Sequence, residues 1–232
     1  MQVSPIGRFV SDRVPLRKHL GAAAVVAVAV FVSLYFPERT DGSGALLGGA
    51  FAFGAVAIGL AAVAHVRPLP TRSASDRFRS LVLSLAAGSA FGILNLMVNY
   101  SLAASDPRIH DRMIEQWSRF TGWSVMFAGP LVEEIGFRLL LMGGTAWLIS
   151  RLTQNRGVVF FVALAVSAFI FGLAHLLRPT TGVVHATGVV LKDSAAGVLL
   201  GWVFWRLGLP YAIVSHGAAN AVHRFAWPML FY

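Results

Sequence analysis

Residues 158–177 read VVFFVALAVSAFIFGLAHLL, a run of twenty residues without Asp, Glu, Lys or Arg. A transmembrane helix needs about 20 predominantly apolar residues, each adding about 1.5 Å of rise. Comparable runs occupy residues 20–36, 45–66, 81–104 and 123–149, and two shorter ones, 194–207 and 209–225, are divided near Gly208 and Pro210. Backbone polar groups in lipid must be satisfied within the chain. The sequence therefore predicts an all-α, polytopic transmembrane helical bundle of about seven helices.

Composition agrees with a membrane protein and excludes several classes of function. Of the 232 residues, 56% are hydrophobic and 12% are charged, about half the charged fraction of a typical soluble domain. The net charge of +9 comes from basic residues in the short gaps between apolar runs, where topology and lipid phosphates explain them. We therefore expect no nucleic-acid partner. The absence of cysteine excludes disulfides, thiolate nucleophiles and Cys-based metal sites.

The chain is predicted to form one domain. Residues 1–19 are a basic N-terminal segment, residues 20–232 form the bundle, and the motif-bearing core covers about 123–225. The first apolar run ends in Phe-Pro-Glu-Arg without a small-x-small cleavage site, so it is expected to stay as an anchor. Residues 178–193 are predicted to be a mixed connector, in which His185 is solvated or interfacial. Gly197 and Gly201 form a small-xxx-small packing pair, as do Gly48 and Ala52.

Lys and Arg positions predict the orientation. An N-terminus inside the cell leaves seven basic residues in outer segments: Arg39, Arg108, Arg112, Arg119, Arg178, Lys192 and Arg224. The inner segments then hold eleven: Arg8, Arg13, Arg17, Lys18, Arg67, Arg72, Arg77, Arg79, Arg151, Arg156 and Arg206. The bias predicts a cytoplasmic N-terminus in the cell (inner) membrane.

Three charged residues lie inside the fourth predicted span, where each costs at least about 2.5 kcal/mol on insertion scales. Glu134 and Arg138 are four residues apart, so they share a helix face and can pair. Glu133 is rotated by about 100° from Glu134 and is therefore free to face another cavity. The alternative is that all three charges form one buried network that holds the span to its neighbours.

Further polar residues occur in pairs at helical spacing on two other spans. His175 follows Phe171 by four residues and Asn220 follows His216 by four, so each pair lines one helix face. Such histidines can simply bridge helices. Together with a carboxylate, however, two imidazoles and a carboxamide can deprotonate a water and stabilise an oxyanion. His223 lies seven residues after His216 and is considered only as a supporting residue.

These residues fall into three motifs: Glu133-Glu134-Ile-Gly-Phe-Arg138, Phe171-Gly-Leu-Ala-His175 and His216-Gly-Ala-Ala-Asn220. Their order and spacing resemble the CPBP family, which comprises CAAX prenyl endopeptidases and bacteriocin-processing or immunity-type (Abi) membrane proteins. The resemblance covers about residues 123–223. It implies an intramembrane glutamic endopeptidase in which Glu133 and His175 activate water and His216 and Asn220 form the oxyanion hole. Glu134, Arg138 and Phe171 would have supporting roles.

Other functions stay open at this point. A non-catalytic immunity or partner-binding protein could resemble the family, and a zinc peptidase could use Glu133, His175 and His216 as ligands, although no His-Glu-x-x-His occurs. A proton-coupled transporter would be expected to show an inverted repeat, and none is visible.

The resemblance implies no cofactor and no metal. The expected partners are the lipid bilayer and a peptide or protein substrate at the membrane, such as a prenylated tail, a processed leader or a C-terminal sorting segment. The charge bias predicts an active site that opens toward the outer face.

Overall fold

The computed structural model describes residues 73–119, 129–177 and 180–231, and the single residues Gly59 and Met126. Every element in these ranges is helical, which confirms the all-α class. The predicted segment 1–19, the span 20–36, the span 45–66 except for Gly59, and the Gly48–Ala52 pair lie outside the described residues. The predicted number of seven helices is therefore not confirmed.

Seven α-helices and one π-helix follow one another along the described chain. Three helical segments are long and apolar enough to cross a membrane: Ala74–Ser105, Arg156–Leu177 and Val183–Leu207. The protein is thus an integral membrane protein. The elements are α1 (Ala74–Ser105), α2 (Pro107–Arg119), α3 (Gly129–Glu134), the π-helix (Ile135–Met142), α4 (Gly143–Ser150), α5 (Arg156–Ala174, extended by a 3-10 turn His175–Leu177), α6 (Val183–Leu207) and α7 (Leu209–Phe231).

Helix α1 has the reverse of the pattern expected in a soluble protein. The residues that it buries are mostly small or polar and recur about every four positions, from Ser80 and Ser84 through Gly88 to Asn99. Large apolar side chains are exposed instead, namely Phe78, Val82, Leu85, Ile93, Leu94 and Met97. A helix in lipid gains little from burying leucine, whereas small residues allow close packing. The pattern therefore agrees with a lipid-facing helix.

Helices α1 and α7 run parallel and approach closely. Near one end the Tyr211 hydroxyl donates to the carbonyl of Arg77, and near the other a side-chain hydrogen bond joins the two helices. Between these contacts, a Cβ atom on Gly88 would collide with the backbone carbonyl of Ser215. Only a glycine permits this approach, which fixes the depth at which α7 lies against α1.

The predictions of a span at 194–207 and of a connector at 178–193 were wrong, because one helix, α6, covers the first range and most of the second. The helix begins at Val183 and has 25 residues, because its charged pair is neutralised within the helix: Lys192 Nζ lies 2.7 Å from Asp193 Oδ1. His185 was expected to be solvated or interfacial, but it is buried and accepts a hydrogen bond from the amide of Thr181. The predicted packing role of Gly197 is confirmed, since a Cβ there would lie 2.7 Å from Ala168 Cα.

Helix α2 was not predicted. Charged side chains alternate along it with apolar ones such as Ile109, which is buried. Asp106 precedes the helix and accepts a hydrogen bond from the amide of Arg108, and hydrogen bonds from Arg108 lower the pKa of the Asp106 carboxyl. An amphipathic helix directly after a span is suited to the membrane interface.

The core lies around the π-helix and α4. These elements pack against α5, α6 and α7 through Ile135, Leu139, Met142, Ala146, Val159, Ala163, Leu164, Val203, Phe204 and Ala212. The first motif is carried at the junction of α3 and the π-helix, so this core holds it in place.

Candidate active site

The helix that bears the first motif changes from α to π geometry directly after Glu134. Glu133 and Glu134 end α3, and Arg138 lies in the π-helix. π-helical segments are rare and frequently occur at functional sites. The wider turn still places Arg138 near Glu134, one turn further along the helix.

Glu134 and Arg138 form a completely buried ion pair. Both side chains are 0% exposed, and Arg138 Nε lies 3.2 Å from Glu134 Oε2. The guanidinium also lies over the ring of Phe171, 4.7 Å from its centroid. The pairing predicted from the four-residue spacing is confirmed. The cost of burying both charges is offset only by such mutual contacts, so these groups hold the local structure tightly.

Glu133 faces a different environment. Its side chain is 24% exposed, and its Oε2 lies 4.0 Å from Nε2 of His175 and 3.8 Å from Nε2 of His216. One carboxylate oxygen is thus placed between two imidazoles that come from different helices. Glu133 therefore lies in a different environment from its fully buried neighbour Glu134, as the rotation of about 100° between them predicted.

The tautomer of His175 follows from its partner. Its Nδ1 lies 2.8 Å from the carbonyl oxygen of Phe171, and because a carbonyl can only accept, Nδ1 carries a proton. In the neutral ring, Nε2 then presents a lone pair toward Glu133. The 3-10 turn that begins at His175 places this ring at the end of α5.

His216 connects the two glutamates. Its Nδ1 lies 2.9 Å from Glu134 Oε1, and since an ionised carboxylate only accepts, Nδ1 donates. Its Nε2 faces Glu133. The position of His216 along the site depends on the close approach at Gly88, because the adjacent residue, Ser215, makes that contact.

Phe171 contacts both imidazoles as well as Arg138. Its ring centroid lies 4.7 Å from that of His175 and 6.1 Å from that of His216. Asn220 lies one turn beyond His216 on α7 and is partly exposed. The structure thus brings Glu133, Glu134, Arg138, Phe171, His175 and His216 together. We call this set the motif cluster.

His223 belongs to a different group. Asn99 on α1 donates from Nδ2 to His223 Nε2 at 2.8 Å, and the charges of Lys192 and Asp193 act on the same imidazole. We call these four residues the interface cluster, because they lie where α1, α6 and α7 meet. Of these four residues, the sequence analysis considered only His223 as a supporting residue of the site.

One residue that the sequence analysis missed contacts the motif cluster directly. The hydroxyl of Ser167 hydrogen-bonds to the π-helix and to Arg138. Its position four residues before Phe171 places it on the face of α5 that carries Phe171 and His175. That spacing, in a span with few polar residues, was the signal that could have identified it.

Residues 115–222 match the family model of Rce1-like proteins, the type II CAAX prenyl endopeptidases. The match contains all three motifs. The chain has an Rce1-like domain. This domain begins within α2 and ends in α7, and it includes every residue of the motif cluster. The resemblance to the CPBP family is thereby confirmed, and the family is one of membrane proteases. The chain matches no curated protein and no solved structure.

Proposed function

We propose that the protein is an intramembrane endopeptidase in which Glu133 and His175 activate the hydrolytic water. The observation that supports this most directly is the position of Glu133 Oε2, 4.0 Å from His175 Nε2. A water placed between two acceptors at this separation lies about 2.8 Å from each, which is ordinary hydrogen-bond length. It can donate one hydrogen to each group and present its lone pair to a substrate carbonyl.

The reaction then needs only one proton transfer in each direction. The water oxygen attacks the carbonyl carbon while Glu133 takes a proton from the water. As the C–N bond breaks, Glu133 returns that proton to the leaving nitrogen, which leaves a carboxylic acid and an amine. General base catalysis of this kind contributes typically 10²–10⁴-fold.

His216 and Asn220 are proposed to stabilise the oxyanion. His216 donates from Nδ1 to Glu134, so it can donate from Nε2 as well only as an imidazolium. Two carboxylates adjoin this ring, at 2.9 Å and 3.8 Å, and favour its charged form. With Arg138 the four groups then sum to zero charge, which lowers the cost of burying them.

The substrate is proposed to be a peptide or protein at the membrane, such as a prenylated tail or a C-terminal sorting segment. We expect that purified protein in liposomes will cleave such substrates and that EDTA or 1,10-phenanthroline will leave the rate intact, since glutamate rather than a metal activates the water. Substrates can be found by comparing protein termini in membranes with and without the protein. Loss of activity that zinc restores would favour the zinc-peptidase alternative.

The site is proposed to open toward the outer face of the cell membrane. Helix α5 runs antiparallel to α6, as the contacts of Gly197 with Ala168 and of Gly172 with Val190 show. Helix α6 in turn reverses into α7 at Gly208, and α7 is parallel to α1. His175, at the end of α5, therefore lies toward the end of the bundle where α1 terminates. A cytoplasmic N-terminus makes that end the outer one.

This orientation is testable because the chain has no cysteine. Ser75 and Ser105 are exposed at opposite ends of α1, and Ser75 is preferable to Ser73, which caps the helix. An impermeant thiol reagent applied to spheroplasts should label Ser105→Cys and not Ser75→Cys. The reverse result would place the active site on the cytoplasmic side.

A further inference from the structure

Ser167 lies at the point where the π-helix and α5 meet. It is completely buried, and none of the three motifs includes it. Its Oγ donates to the carbonyl of Phe137 at 2.7 Å and accepts from Arg138 Nη1 at 3.2 Å. The first bond fixes the direction of the hydroxyl hydrogen, so a lone pair is left facing the guanidinium.

From this hydroxyl a continuous series of polar contacts reaches Glu133. The guanidinium that Ser167 holds lies 3.2 Å from Glu134 Oε2, Glu134 Oε1 lies 2.9 Å from His216 Nδ1, and His216 Nε2 faces Glu133 at 3.8 Å.

We propose that Ser167 is a positioning residue, which sets the orientation of Arg138 and thereby the hydrogen bond from His216 to Glu134; the mechanistic consequence rests on the proposed function. Arg138 Nη2 and the Glu134 Oε2 atom have no well-aligned hydrogen bond among the described residues. The bond from Nη1 to Ser167 is therefore the directional contact that keeps the guanidinium from turning about its own axis.

The polar character of Ser167, rather than its volume, carries this role. An alanine at 167 fills almost the same space, but it leaves the Phe137 carbonyl and Arg138 Nη1 without this partner. A turned guanidinium no longer opposes Oε2, and Glu134 can then move away from His216. We therefore expect weaker stabilisation of the transition state, in which His216 stabilises the oxyanion. Substrate binding should not be weakened.

A matched control is present on α7. Ser215 is also completely buried and lies directly beside His216, yet its Oγ has no hydrogen-bond partner in the part of the chain that the structure describes. Ser215→Ala removes the same hydroxyl at the same burial without affecting the contacts that reach Arg138.

The kinetic test compares Ser167→Ala, Ser167→Thr and Ser215→Ala in liposomes. Because the lost hydrogen bond involves a charged group, kcat of Ser167→Ala should fall about 10- to 100-fold with KM unchanged. Ser167→Thr, which keeps the hydroxyl, should recover most of the rate, and Ser215→Ala should resemble the parent. A parental kcat in Ser167→Ala would overturn the proposal, as would an equal loss in Ser215→Ala.

A spectroscopic test does not depend on proteolytic activity or on whether a threonine side chain fits at position 167. In ¹⁵N-histidine NMR spectra, with His216 assigned from a His216→Gln sample, the Nδ1 signal should shift in Ser167→Ala and remain parental in Ser215→Ala. An unchanged His216 signal in Ser167→Ala overturns the positioning role even if the protein cleaves peptides. A shifted signal in a protein that cleaves nothing would support the positioning role and contradict the proposed function instead.

Discussion

The motif cluster and the interface cluster both bury polar groups between helices, but they do so in different ways. In the interface cluster each group has a nearby partner of its own: Lys192 is paired with the adjacent Asp193, and Asn99 with His223. In the motif cluster the groups are linked through His216, and Glu133 remains 24% exposed beside two imidazoles. Paired polar groups stabilise helix packing, whereas a partly exposed carboxylate among histidines is available for chemistry. The following substitutions test this difference.

The largest expected effect separates Glu133 from Asp193. Glu133→Gln keeps the volume of the side chain but cannot take a proton, so the cleavage rate should fall about 10²–10⁴-fold while the melting temperature stays parental. Asp193→Asn should instead lower the melting temperature and leave the cleavage rate parental. Lys192 loses a charged partner in this variant, which is worth about 1.5–3 kcal/mol. Rates per folded molecule and thermal melts measure both. Full activity in Glu133→Gln would contradict the glutamate mechanism.

Breaking the buried ion pair of Glu134 and Arg138 should lower both the stability of the protein and its cleavage rate. Glu134→Ala or Arg138→Ala leaves an uncompensated buried charge, which in buried pairs costs about 3–5 kcal/mol. The partly exposed pair of Arg112 and Glu115 on α2 is the control, since Glu115→Ala should cost at most about 1 kcal/mol. Denaturation in detergent measures the difference. Variants of the buried pair that are inactive yet melt like the parent would assign it to the chemistry alone.

The close approach of α1 and α7 can be changed without replacing a polar side chain. Gly88→Ala introduces a Cβ against the carbonyl of Ser215, and such overpacking costs about 1–3 kcal/mol. Because α7 carries His216, the cleavage rate should also fall. Gly144→Ala is the matched control, because its Cβ would meet nothing within 4 Å and alanine is favoured in a helix by about 1 kcal/mol. Equal stability of the two variants would refute the packing constraint.

The smallest effect is expected in the interface cluster. His223→Phe removes the hydrogen bond to Asn99, a loss of about 0.5–1.5 kcal/mol, and should leave the cleavage rate per folded molecule unchanged. Melting curves and rates on the same preparation measure both. A rate that falls further than the stability explains would mean that this histidine acts on the motif cluster after all.

The sequence alone predicted the spans that form α1 and α5, because lipid imposes a strict length and composition on each span. It also predicted the separation of Glu133 from the pair of Glu134 and Arg138, since helical spacing fixes which side chains share a face. The three motifs indicated the protease family for a different reason, namely their resemblance to known members. None of these conclusions required knowledge of how the helices pack.

Packing decided the remainder. Helix α6 extends through Lys192 and Asp193 because the two charges neutralise each other, which an average of hydropathy over the segment does not reveal. The contact of Ser167 with Arg138 and the link from Glu134 to His216 join residues 29 and 82 positions apart in the chain. Local spacing carries no information about such pairs. Their distances depend on how closely the helices approach, and that is set by Gly88 and the buried side chains around it.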